Sequence, residues 1–306
     1  MNPTKANTIA IVLERIADIE SGRPFGLTDC ASAWPKREAP KMSEQCQMDP
    51  LDAVTWQAAL IITGKRPLLT GSQSKLAKAT GETTGHINRG LTLASADEAA
   101  PFLGKGWHAC AGSTIACESV CVGSRQGQGK LPSSAIARIG RSIVLACFLD
   151  RFMAIIIAEL LKAEQSAARN GWKLAFRTNV ATDHWQLAGQ LAAMLPDVLF
   201  YDYTAITSAV RANDGVARVY SRKDGRTKKT LDILRAGHGA AVVFDIPARS
   251  KGPLPATWHG FPVIDGDIDD LWPLRAPEGP FVVGLRVKGT KEEIEQARAI
   301  GFSVAA

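Results

Sequence analysis

From Lys173 onward the chain consists of short, nearly continuous apolar runs separated by polar, helix-like stretches, and this alternation constrains the fold most. The runs are Lys173 to Phe176, Val198 to Tyr201, Ala217 to Tyr220, Ala240 to Phe244, Phe261 to Ile264 and Phe281 to Val287. Helix-like segments such as His184 to Leu195 and Thr230 to Leu234 lie between them. A strand with one wet face alternates apolar and polar residues, whereas a run that is apolar throughout must be covered on both faces. That is the condition of a parallel sheet sandwiched by its crossover helices. Each run exits into charged or hydrogen-bonding groups: Arg177, Asn179 and Asp183; Asp202, Tyr203 and Thr204; Ser221 and Arg222; Asp245; Asp265 and Asp267; and Lys288. Parallel α/β sheets carry their sites at the carboxyl ends of the strands, so these groups are expected around one mouth. Asp183, Asp202 and Asp245 are the candidate acids or bases. Arg177, Asn179, Tyr203, Arg222, Asp265, Asp267 and Lys288 are the candidate substrate-binding groups.

Upstream of this region Cys110, Cys117 and Cys121 are bunched in one short segment. If Cys117 to Cys121 is helical, a spacing of four puts both thiols on one face, and Ala111, Gly112 and Ser113 let Cys110 fold back toward them. Three thiolates suit an iron-sulfur cluster with one iron left open, or a zinc site completed by a fourth ligand such as His108, Cys30 or Cys46. They also suit three small buried core residues. The five histidines form no His-x-His or His-x-x-x-His pair, which disfavours histidine-based metallohydrolases and rolling-circle nickases. Asp265, Asp267, Asp269 and Asp270 offer oxygen ligands for a divalent cation, or the acidic start of a helix.

With 306 residues, 46% of them hydrophobic, the chain can bury a large core and is not broadly disordered. The expected division is a helical N-terminal region over 1–65 and an α/β domain over 66–306 that carries the cysteine loop. The N-terminal part holds one short helix, a stretch rich in Pro, Lys and Asp, and a second helix near Asp52 to Thr63. Pro132 to Asn170 is helical in pattern, with Gly171 where a left-handed cap is expected. Within it, the apolar run Ser142 to Leu161 is interrupted by Asp150, Arg151 and Glu159. A charge at mid-bilayer costs about 2.5 to 3.5 kcal/mol, so a buried amphipathic helix is expected and no membrane partner. Residues 1–22 lack the apolar core of a signal peptide. Six cysteines are too few for a disulfide scaffold, and their bunching fits a reducing, cytoplasmic setting.

The formal charge of +6 permits an anionic small molecule or nucleic acid as partner without requiring one. The basic candidates for phosphate contact are Arg125 and Lys130, with Arg138 and Arg141 beyond them, and the loop holding Lys223, Arg226, Lys228 and Lys229.

The cysteine loop is followed, in order, by Arg125-Gln-Gly-Gln-Gly-Lys130, Phe176-Arg-Thr-Asn-Val-Ala-Thr-Asp183, Phe200-Tyr-Asp-Tyr-Thr204 and Tyr220-Ser-Arg222. Val242-Val-Phe-Asp245, Pro262-Val-Ile-Asp-Gly-Asp267 and Val283-Gly-Leu-Arg-Val-Lys-Gly289 complete the series. Over roughly Thr70 to Gly289 these motifs resemble the gene product 88-like proteins of phages and plasmids, which implies a mobile-element origin. A more distant likeness is to radical S-adenosylmethionine enzymes. It implies a partial β/α barrel, a cysteine loop after the first strand, and a 4Fe-4S cluster with one iron open to S-adenosylmethionine. The cysteine spacing here, six residues then three, departs from that superfamily's three then two, and Thr178-Asn179 stands where its Gly-Gly-Glu element is expected. Two functions follow from the sequence: an iron-sulfur enzyme acting on a nucleotide, nucleic acid or other anionic substrate, or a zinc-stabilised nucleic-acid-binding protein without catalysis.

Overall fold

A computed structural model describes residues 3–21, 41–71 and 74–306. Its strands are β1 (Leu69–Thr70), β2 (His86–Leu91), β3 (Lys173–Arg177), β4 (Leu199–Thr204), β5 (Val216–Ser221), β6 (Ala240–Pro247), β7 (Thr257–Trp258), β8 (Phe261–Asp265) and β9 (Val282–Val287). They form one mixed sheet in the order β1-β2-β3-β4-β5-β6-β9-β8-β7. From β2 to β8 every neighbouring pair is parallel, and short antiparallel partners, β1 and β7, close the two edges. All six apolar runs are strands of this sheet.

One connection departs from simple succession, because β9 enters between β6 and β8. Burial explains the choice. Val282, Val283 and Gly284 of β9 are buried, whereas β8 is partly exposed along its length and carries Pro262, which has no amide hydrogen to give a ladder. The more apolar strand takes the inner place.

Side-chain alternation sends the two faces of the sheet into different cores. Phe176 and Phe200 pack with Ile143, Phe152 and Leu160 of the long helices. Ala175, Tyr201, Tyr203, Val219, Ala241 and Val283 face the other way, against Leu271, Trp272 and Phe281. The helical pattern of 132–170 is two helices, Pro132–Cys147 and Leu149–Ala168, broken at Phe148, where φ is −136° and ψ 52°. Gly171 has φ +71° and the Trp172 amide donates back to the Ala167 carbonyl at 3.0 Å, which is the expected left-handed termination. Of the charged residues within the apolar run, Asp150 and Arg151 are exposed and Glu159 is inward. Glu159 accepts the Leu68 and Leu69 amides at 2.9 Å each, pinning the edge strand β1. No helix among the described residues is long and apolar enough to cross a membrane.

The N-terminal helices Pro3–Ser21 and Pro50–Ile62 contribute Val12, Val54, Ala58 and Ile61 to the same core as Phe152 and Phe176. Asp49 caps the second by accepting the Leu51 amide at 2.9 Å, with Pro50 in the first turn. This helix crosses Pro132–Cys147 at Gly140, where a Cβ would lie 2.5 Å from the Gln57 side chain and 3.3 Å from the Ala58 nitrogen. Gly140→Val is therefore expected to lower stability by about 1 to 3 kcal/mol through overpacking, read as a lower urea midpoint. An unchanged midpoint would mean that the helices are not packed at this glycine.

Candidate functional site

The site begins where β3 ends. Beyond Arg177 the chain turns through residues 178–184, held by Asn179. Its Oδ1 accepts the Thr182 hydroxyl at 3.0 Å and the His184 amide at 2.7 Å, and its Nδ2 donates to Asp202 Oδ2 on β4. Asp202 also accepts the Tyr203 amide at 3.0 Å. The turn delivers Asp183, whose Oδ2 accepts the Ala205 amide beyond β4 at 2.8 Å and whose own amide donates to the Ala109 carbonyl at 3.0 Å. Cys110 is paired with Asp183 as a parallel bridge. One short turn thus binds β3, β4 and the cysteine loop together.

The cysteine loop approaches by close backbone contact. A Cβ on Gly112 would sit 2.6 Å from the Ala205 Cβ, and one on Gly123 2.5 Å from the Ala181 Cβ. Cys117 lies in the short helix Ile115–Ser119, which Thr114 caps by accepting the Cys117 amide at 3.0 Å. That helix ends at Ser119, so the expected single helical face for Cys117 and Cys121 does not form; Cys121 follows in the next turn. Cys110, Cys117 and Cys121 nevertheless line one cleft of about 1240 Å³ as free thiols. Burial pushes the Cys110 thiol up to about 12; the Ala96 amide, donating to Sγ at 3.2 Å, and Lys223 pull the other way, while the other two cysteines reinforce the rise.

Of the groups expected at the mouth, Arg177, Asn179, Asp183, Tyr203, Ser221, Asp267 and Lys288 line this cleft, as do Lys130 and Lys223. Arg177 donates to Asp270 at 2.8 Å and its guanidinium lies 4.5 Å from the centre of the Tyr203 ring. Burial is the largest single influence and works against this charge, but Asp270, Tyr203, Tyr201 and Asp202 together outweigh it and hold the guanidinium ionised above its usual range. Asp183 Oδ1 is buried without a hydrogen-bond partner, and desolvation raises this carboxyl above its ordinary value.

Other expected residues stand elsewhere. Asp202 lies beneath the cleft, 1% exposed, where it orients Asn179. Arg222 is turned away, giving its guanidinium to the Gly301 and Phe302 carbonyls at 3.1 Å each and to Thr227. Asp245 pairs with Arg298 and Asp265 forks onto Arg286. The acidic run does not converge on a cation, because its members answer different arginines: Asp265 and Asp267 meet Arg286, Asp269 meets Arg275, and Asp270 meets Arg177. Arg125 is exposed beside a smaller cavity of about 260 Å³ behind the cysteine loop. Lys228 and Lys229 are exposed on the helix Thr227–Arg235, and Arg226 stands at its start.

Among the proposed fourth ligands, the His108 ring accepts the Cys110 amide at 3.2 Å and lies 3.3 Å from Glu118. Cys46 is exposed, and Cys30 lies outside the described residues. No three His, Cys, Asp or Glu side chains among the described residues close on a single metal ion. Sequence reasoning missed Asp270 as the partner of Arg177, and it named Arg138 and Arg141 as candidates for phosphate contact without placing them at the strand-end mouth, where both line the cleft. Their positions on one side of the Pro132–Cys147 helix, three apart, were the available signal.

Two outcomes test this architecture. Burial raises Asp202 to about 7, against the opposing pull of Arg177 and Asn179. The folded state therefore holds this proton more tightly than the unfolded chain. Its contribution to stability is greatest below about pH 4, falls as pH rises toward about 7 and is level above, a loss on the order of a few kcal/mol. Denaturant melts across that window should show this slope in the wild type and a flatter profile in Asp202→Asn; equal slopes would refute the assignment. Asn179→Ala should cost about 1 to 3 kcal/mol and speed hydrogen exchange at the Asp183 amide. Unaltered exchange there would separate Asn179 from the cysteine loop.

No curated protein and no solved structure matches the chain. The family described as Gene product 88 matches residues 67–303, which take in the whole sheet, the cysteine loop and the cleft. With that match the sheet and its cleft are placed: the chain belongs to the Gene product 88 family.

Proposed function

We propose that the protein is an iron-sulfur enzyme of the radical S-adenosylmethionine type acting on an anionic substrate such as a nucleotide or nucleic acid. The observation that carries this reading is that three free thiols, on the connection after the first parallel strand β2, line the same cleft as Arg177, Asn179, Asp183 and Tyr203. The sequence-ordered parallel run β2 to β6 followed by β9 supports a partial β/α barrel, with Ala175, Tyr201, Tyr203 and Val219 on its inner face.

The donor set fits a cluster better than a single ion. One zinc must draw its thiolates to about 2.3 Å, whereas a cluster offers each thiolate a separate iron and tolerates a wider spread. Cys110, Cys117 and Cys121 would be its ligands, and the cluster would supply an electron to a sulfonium cofactor. The protein's own groups position the substrate. Asp183 Oδ1, buried and unpartnered, is available to a hydroxyl or amine, and Lys223 brings positive charge to the cysteine side of the cleft. Arg177, neutralised by Asp270, supplies a flat edge and shape more than net charge.

A zinc-stabilised nucleic-acid binder is the weaker reading, because Arg222 of the basic run is spent on backbone carbonyls and Lys223 faces the cleft. Anaerobic purification with iron, sulfide and zinc analysis separates the two. Iron with sulfide and broad absorption near about 400 nm, abolished in Cys117→Ala, is the expected result. A colourless protein with one zinc would overturn the enzyme reading and leave the binder.

A further inference from the structure

The cations that line the cleft are mostly committed. Lys130 meets Glu293 at 2.6 Å, Arg138 meets Glu98 at 2.5 Å and the Gly129 carbonyl at 3.1 Å, and Arg177 meets Asp270 at 2.8 Å. Arg286 is held by Asp265 and Asp267, and Lys288 stands 4.0 Å from the latter. Arg141 is different. It lines the same cleft from the helix Pro132–Cys147, one turn beyond Arg138. No described residue accepts a hydrogen bond from its guanidinium, and its Nε is buried without a partner.

Its charged surroundings are specific. Glu159 is the opposing charge within reach, and both of its oxygens are occupied by the Leu68 and Leu69 amides. Arg138, on the same helix, repels it. Burial pulls the Arg141 guanidinium down to about 10 against the attraction of Glu159, with Arg138 adding to the fall; it is still fully charged at neutral pH. A desolvated cation without a bonded anion is a cost to the folded state, and a guanidinium presents a planar fork of donors matched to an oxyanion.

We propose that Arg141 anchors the anionic group of the substrate, a phosphate or carboxylate, on the helical wall of the cleft. The proposal rests on the cleft being the substrate site and is independent of whether a cluster is bound. It assigns to Arg141 the role that the strand-end pattern gave to Arg222 and Lys288.

Isothermal titration calorimetry of the full chain with inorganic pyrophosphate and with citrate tests it, in wild type, Arg141→Lys and Arg141→Met. The expected result is saturable binding of at least one anion, weakened about tenfold or more in Arg141→Met and less in Arg141→Lys. The anion that binds identifies phosphate or carboxylate as the recognised group. Thermal melts of the same proteins guard against a merely structural role: Arg141→Met should melt no lower than wild type, since it removes an unpaired charge. Binding that is equal in wild type and Arg141→Met, absence of binding in wild type, or a marked loss of melting temperature in the variant would each overturn the proposal. Lack of iron in the purified protein would sink the enzyme reading and leave this test standing.

Discussion

The hydrogen bond between Asn179 and Asp202 is the contact on which the site depends. A buried carboxylate needs donors, and Asp202 takes one from the Asn179 side chain and one from the Tyr203 amide. That fixes which way the Asn179 amide points, so its oxygen is presented to Thr182 and His184 and closes the turn after β3. The closed turn places Asp183 between the Ala205 amide and the Ala109 carbonyl, and the cysteine loop is carried into the cleft by that pairing. A carboxylate that does not itself line the cleft thus governs its geometry, from the position where a simpler reading of strand-end residues puts a catalytic acid.

Charge pairing shapes the rest of the mouth. Arginines that line it are answered by aspartates, Arg177 by Asp270, and Arg286 by Asp267 and by Asp265 outside the cleft. Such pairs define shape and exclude other geometries more than they add net stability or field. Among the described residues, the positive potential left for a ligand comes from groups that have no carboxylate bonded to them: Arg141 on the helical wall, Lys223 on the cysteine side and Arg249 after β6. The number of basic residues in a loop is accordingly a poor guide to where an anion binds; what each cation already touches decides it.

The sheet was legible because its signal is local and repeated. Each apolar run that must be covered on both faces became a strand, and Gly171 adopted the left-handed conformation its place after a long helix required. Seven groups of the expected mouth, from Arg177 to Lys288, do line the cleft, because side chains at the carboxyl ends of parallel strands open to the same side. Asp245 and Arg222 stand away from the cleft for a common reason. Position at a strand end does not say whether a neighbouring element covers the side chain, and the C-terminal segment covers both, through Arg298 and the Gly301 and Phe302 carbonyls.

From the sequence alone came the alternation of strands and helices, the parallel character of the sheet, the clustering of the cysteines and the family motifs, all of them set by patterns spanning a few residues. Tertiary structure decided that β9 displaces β8 from the centre, that the N-terminal helices share the core of the sheet, and that the cysteine loop is fastened to Asp183. It also decided which arginines are spent and that Arg141 is left facing the cleft without a bonded carboxylate. Those outcomes depend on contacts between residues distant in the chain, where burial and the need to satisfy each buried polar atom choose among partners that local patterns leave equivalent.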